Sequence, residues 1–300
     1  MEWIEVLDFY RKKLASEGKS ELTIRNYLHD LKMFTLWYET TYRKPVEISR
    51  IQDIDLFAYR SHLQVVKRQK PATVNRHIAA LRSFFRFLHQ QELIRENLSR
   101  NLSHLEIESQ KAPEVLTHVQ ALRLFGSVNK TSAMGKRDFA IIQLFVQCGL
   151  RLSELAHIEI GDIETGERKG MLRIPSGKGG KPREVPLNKT ARVALSEYLK
   201  VRLALPLIKV LFLSQKRKAL SGRTIHDIVK KYMEKAGMSD FSCHDLRHLF
   251  ATNLYNKHKD LILVKEALGH KHIETTLRYS RKTKEEIANA LEDTELNIYK

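Results

Sequence analysis

Three hundred residues set an expectation of about two domains, and a chain that is 42% hydrophobic can build a core in each. No apolar run approaches the ~18–20 residues a membrane helix needs, the opening MEWIEVLDFYRKK carries early acids and no signal-like apolar stretch, and Cys148 and Cys243 lack a CxxC neighbour, which argues against a disulfide framework or zinc ribbon. A soluble, cytoplasmic protein is expected, and its 52 Lys+Arg against 35 Asp+Glu, a formal net charge of +17, favour a polyanionic partner whose counterions are released on binding; a ribosome-associated or membrane-surface protein would share the charge but not the motifs below.

In chain order, the first hundred residues read as helices. SELTIRNYLHDLKMFTLWYETT offers Ser20 as an N-cap, then Leu28, Leu31, Phe34, Trp37 and Tyr38 at helical spacing. DIDLFAYRSHLQVV repeats the pattern with Leu56, Tyr59 and Leu63. KPATVNRHIAALRSFFRFLHQQELI starts at Pro71 and places Val74, Ile78, Leu81, Phe85 and Leu88 inside. Arg25, Lys67, Arg68, Lys70, Arg76, Arg82 and Arg86 fall on the polar faces. Most such charges are solvated faces, but a subset on one side would track a nucleic-acid backbone. The rhythm weakens over NLSHLEIESQKAP, so the chain divides into a bundle at 1–105, a linker at 106–116 and a second domain at 117–300.

The second domain opens with a helix capped at Thr117. The apolar segment Phe139–Phe145 predicts a buried helix ended by Gly149, and RLSELAHI starts another. GMLRIPSGKGGKPREVPLN alternates on both sides of a glycine-rich tip, predicting a β-hairpin with strands at Met171–Ile174 and Arg183–Leu187. It is not a P-loop, for no GxxxxGK[ST] is present. From about Ala191 the chain is mostly helical again, so the class is mainly α with a small β-hairpin or sheet (α+β).

CHDLRHLF puts His244, Arg247 and His248 on one stretch of helix. Two histidines four apart suit a metal, but Asp245 stands where a zinc-protease glutamate would be, and Arg247 on the same face opposes a dication. A phosphate fits better, because an arginine fork and an imidazole three apart both present donors. His248 reads as a structural core histidine. Elsewhere Arg151 follows a glycine at a helix start, with Glu154 three residues on to orient it. Lys178 and Lys181 sit in the GKGGK tip, and His270 and Tyr279 lie in LGHKHIETTLRYS. Singly these are a surface arginine, turn lysines and a core tyrosine.

Together, in this order, GLRLSEL, GKGGKPREVPL, HDLRHLFAT and LGHKHIETTLRY resemble the tyrosine recombinase (phage-integrase) family, and in size the chain is most similar to simple Xer-type recombinases and transposon-encoded resolvases. The resemblance implies a core DNA-binding bundle and a catalytic domain closing as a C-shaped clamp on duplex DNA. It implies Tyr279 as the nucleophile that forms a 3′-phosphotyrosyl link. Arg151, Arg247 and His270 would hold the phosphate, Lys178 would protonate the leaving 5′ oxygen, and Glu154 would orient. His244 would either assist proton transfer or bond the phosphate. No ATP, metal or other cofactor is expected. The expected partners are double-stranded DNA bearing an inverted-repeat core site and a homotetramer, or hetero-tetramer, on synapsed DNA. The bundle would contact DNA through Arg25, Lys70, Arg76, Arg82 and Arg86, and the hairpin through Lys181. The tail beyond Tyr279, with Ile287, Ala290 and Leu291, would dock in cis or on a neighbour. Rival readings are a type IB topoisomerase-like relaxer, a DNA-binding regulator without catalysis and a metal-dependent nuclease.

Overall fold

The computed structural model describes residues 3–106, 116–175, 182–203, 207–270 and 273–280. The chain folds as two compact units, Met1–Lys111 and Ala112–Lys300. No helix among the described residues is long and apolar enough to cross a membrane.

The first unit is helical: α1 (Trp3–Ser16), α2 (Glu21–Tyr42), α3 (Asp53–Ser61) continued by a π segment at His62–Val66, and α4 (Pro71–Gln90). Ser20 caps α2 by accepting the Thr23 N–H, and Pro71 sits in the first turn of α4, where its missing N–H leaves no gap. The expected stripe of α4 is buried, but so are His77, Phe84 and Phe87 on a second row. The second row exists because α4 is covered from two sides. The ring of Tyr10 of α1 lies edge-on to Phe84 at 5.1 Å and tilted against Phe87 at 5.2 Å between centroids, while Phe34 of α2 lies 6.4 Å from Phe85. Each fully buried ring contributes about 2–3 kcal/mol of hydrophobic stabilisation.

The second unit begins with α5 (His118–Gly126), where the Thr117 hydroxyl and the Gln120 carboxamide each accept the other's backbone N–H. Next, α6 (Ala133–Cys148) is buried almost all round. Its Arg137 and Asp138 are buried as a bonded pair, with Tyr232 donating to Asp138 at 3.0 Å and Arg137 to the Leu213 carbonyl at 2.8 Å. After α7 (Leu152–His157) comes an antiparallel sheet of β1 (Ile163–Thr165), β2 (Gly170–Ile174) and β3 (Arg183–Pro186), in that order. The hairpin forms as expected from the alternation; β1, three residues long and mostly polar, escaped it. Leu172 is opposite Ile163 on one side and Val185 on the other, turning an apolar face inward. Then α8 (Lys189–Val201), α9 (Gly222–Lys235) and α10 (Cys243–His258) pack on α6. α11 (Leu261–Leu268), capped by Asp260, and short 3₁₀ turns at Ile273–Thr275 and Leu277–Tyr279 follow.

Candidate active site

α6 ends at Gly149 in the left-handed region, φ 59°, and the ring of Phe250 from α10 occupies the space a side chain would need: a Cβ there would lie 2.3 Å from Phe250 Cδ1. The turn delivers Arg151 to the start of α7. Glu154, in the first turn of that helix, reaches back to accept the Arg151 backbone N–H at 2.8 Å and its guanidinium at 2.7 Å. Arg183 of β3 adds a two-pronged bond to the same carboxylate, at 2.7 and 2.9 Å. Arg247 of α10 comes within 3.8 Å of it. One carboxylate therefore organises guanidinium groups from α7, β3 and α10, and the cluster remains net positive. Burial alone would raise the Glu154 pKa; the hydrogen bonds and charges of Arg183 and Arg151 outweigh it and hold it at about 2. Arg247 is 3% exposed and donates to the Gly149 and Leu268 carbonyls. Burial, then the charge of Arg151, lowers its pKa to about 10, so it stays charged at neutral pH.

α11 closes the cluster. It ends at Gly269, φ 62°, whose carbonyl accepts from Arg151 at 3.1 Å and whose missing Cβ makes room for the Arg183 side chain. His270 follows, its Nδ1 2.9 Å from the hydroxyl of fully buried Thr276. The last 3₁₀ turn carries Tyr279, which packs against the small apolar cluster formed by Ala251, Tyr255, Val264 and Leu268. Its hydroxyl is 2.9 Å from His248 Nδ1 and lies in the field of Arg247. His244 is exposed one turn earlier on α10, its ring edge-on to His248 with centroids 4.7 Å apart.

Arg151, Glu154, His244, Arg247, His270 and Tyr279 are thus gathered by α7, α10 and the segment after α11. Lys178 and Lys181 fall at 176–181, outside the described residues, as do the linker core at 107–115 and the tail at 281–300. Two residues escaped the sequence reading. Arg183 shares its strand face with buried Val185, and an arginine on the inward face of a strand was the signal. His248 is buried, as a structural core histidine should be, but its partner, the tyrosine hydroxyl, was not foreseen.

Residues 114–286 match the Phage integrase family and residues 7–92 its N-terminal SAM-like domain. The chain belongs to the phage integrase family. It is 33% identical over 288 residues to "Tyrosine recombinase XerC" of Syntrophus aciditrophicus, covering 92% of each chain. It is 31% identical to the protein of that name from Bacillus subtilis, covering 90% of this chain and 89% of the relative. In fold it is similar to the XerH site-specific recombinase bound to palindromic difH in a post-cleavage complex, with a TM-score of 0.75, 24% identity and coverage of 96% and 94%. As a member of this family the chain is a tyrosine-type site-specific DNA recombinase. In the recombinase's first unit Arg25, Lys70 and Arg86 are exposed. Arg82 and Arg86, one turn apart on α4, line an open depression with Lys13 and Lys19. Arg76 is drawn inward to buried Asp30, 2.8 Å away.

Proposed function

We propose that this recombinase cuts and rejoins DNA by attack of the Tyr279 hydroxyl on a phosphodiester, giving a 3′-phosphotyrosyl bond and a free 5′ hydroxyl. The observation that carries the reading is the position of Tyr279: its hydroxyl is bonded to His248, the residue that follows Arg247 on α10, and Arg247 is a member of the guanidinium cluster on Glu154. Arg151 and Arg247 bind the non-bridging oxygens, where charge grows in the transition state, and His270 adds a hydrogen bond. Donors fixed in advance of the reaction are worth about 3–4 kcal/mol each. Lys178 protonates the leaving oxygen. The ester conserves the energy of the broken bond, so rejoining needs no ATP, and the side-chain cations supply the charge stabilisation that a metal gives elsewhere.

In this reading residues 1–105 bind the core site, 106–116 connect, and 117–300 carry the chemistry. Arg25, Lys70, Arg76, Arg82, Arg86 and Lys181 contact the duplex. The substrate is an inverted-repeat site, a tetramer of the chain or of the chain with a related recombinase acts on two synapsed copies, and resolution of dimeric replicons of the Xer type is the outcome, in the cytoplasm. The similarity to proteins named XerC supports this.

A nicked duplex of the recombination site, recovered by selection from a random-sequence pool, tests the nucleophile. The wild-type protein should accumulate a covalent adduct on it, and Tyr279→Phe should bind the duplex equally without forming one. An adduct in Tyr279→Phe would refute the assignment. Exchange between two sites separates recombination from relaxation of a single duplex.

A further inference from the structure

We infer that His248, and not His244, takes the proton from the Tyr279 hydroxyl during cleavage. The inference rests on Tyr279 being the nucleophile. CHDLRHLF offers two histidines on one face of α10, one turn apart, and the fold gives them different surroundings. His248 is 7% exposed and its Nδ1 lies 2.9 Å from Tyr279 Oη, within the reach a general base requires. Its ring also packs against the tyrosine ring, with centroids 5.6 Å apart. His244 is exposed, its ring edge-on to that of His248 with centroids 4.7 Å apart. The buried imidazole is bonded to the phenol; the exposed one is left able to meet a phosphate. His244 therefore bonds the phosphate, and the two roles divide between neighbouring histidines.

His248 begins neutral, with its proton on Nε2 and the Nδ1 lone pair accepting from Tyr279 Oη–H. The Oη–H bond breaks and its proton passes to Nδ1. An Oη electron pair forms the bond to phosphorus. The bond from phosphorus to O5′ breaks, its pair leaving on O5′, which takes a proton from the Lys178 ammonium. His248 gains one positive charge, Lys178 loses one, and rejoining returns both protons. Burial fixes the acceptor and keeps water from replacing it.

The test pairs two variants with two substrates. His248→Asn keeps a polar group near the place of Nδ1 but takes up no proton; His248→Leu removes both properties. The nicked duplex is made with ordinary oxygen, and again with sulfur at the 5′-bridging position of the scissile phosphate, because a thiolate leaves without protonation. Both variants should lose at least ~10-fold in the rate of adduct formation on both substrates, general acid–base groups typically contributing ~10²–10⁴-fold. Lys178→Ala should recover on the sulfur substrate. A smaller loss in His248→Asn overturns the inference, as does recovery of either His248 variant on sulfur, which would place the residue at the leaving group. Tyr279→Phe runs alongside: an adduct there refutes the nucleophile itself, whereas an inert Tyr279→Phe beside an active His248→Asn refutes only the role of His248. Should the variants fold poorly, ¹⁵N NMR of the histidine-labelled wild-type protein decides. The inference requires His248 Nδ1 to be unprotonated, and a proton found on Nδ1 overturns it.

Discussion

Glu154 is the residue on which the site turns, because its carboxylate neutralises part of three guanidinium charges in a buried place. Removing it would leave Arg247 buried without its counter-charge, and breaking such a pair costs about 3–5 kcal/mol. Glu154→Gln should therefore lower the melting temperature of the second unit. Both tryptophans, Trp3 and Trp37, pack in the first unit, so their fluorescence should report an almost unchanged transition while circular dichroism shows the loss. The same carboxylate predicts acid behaviour. Its folded pKa of about 2 lies below its ordinary value of 4.5, so the unfolded chain binds the extra proton between them. The contribution is complete above that ordinary value and fades as pH falls toward the folded one. Asp30 in the first unit has the opposite sign. Burial, only partly offset by Arg76, raises its pKa from 3.8 to about 6, and neither oxygen accepts a well-aligned hydrogen bond. Its contribution is complete below the ordinary value and is lost as pH rises through the folded one. Asp30→Asn should thus raise the tryptophan-monitored melting temperature at neutral pH, and an unchanged or lowered value would show that the Arg76 ion pair dominates.

At the scale of elements, three ends meet: the left-handed turn after α6, the base of the β2–β3 hairpin and the close of α11. Gly149→Ala tests the meeting directly. The added methyl would collide with Phe250, and the left-handed backbone adds about 1 kcal/mol of strain. Destabilisation should be large, and Phe250→Leu in the same chain should recover part of it; strictly additive losses in a double-mutant cycle would show that the two do not touch. The elements themselves were legible wherever one period governs one face. Thr117 and Ser20 cap their helices, Gly149 ends α6, and the alternation around the glycine-rich tip gives β2 and β3. Legibility failed where burial comes from several directions or from far along the chain. The second buried row of α4 needs α1 to cover Phe84 and Phe87. Arg183 gains its meaning only from a carboxylate 29 positions earlier, and His248 from a tyrosine 31 positions later. The partner of neither is marked in the local sequence, whereas Arg151, Glu154, His244, Arg247, His270 and Tyr279 were singled out because the four motifs that hold them resemble the tyrosine recombinase family; taken singly they read as ordinary surface or core residues.

For the whole molecule the formal net charge of +17 raises the question of which cations hold DNA and which do chemistry. Burial divides them. Arg247 is turned inward, committed to Glu154 and to backbone carbonyls, and with Arg151 suits a fixed clamp on one phosphate, while Arg183 spends its fork on Glu154 and braces the pair. Arg86 and Lys70 are exposed, Arg82 lies beside Arg86, and these suit backbone tracking, in which each neutralised phosphate releases counterions. Binding measured against salt should separate the classes. Each true phosphate contact contributes about 0.9 to the slope of log K against log salt. Arg82→Ala and Arg86→Ala should each weaken DNA binding and flatten that slope by about 1, while adduct formation on saturating DNA stays near the wild-type rate. Arg151→Ala should do the reverse, leaving the slope within about one contact of wild type and slowing adduct formation by ~10²–10³-fold, because its donors act on charge that develops only in the transition state. If Arg86→Ala left the slope unchanged, the depression on α4 would not face the duplex, and the tracking surface would have to be sought among the remaining exposed cations of that unit.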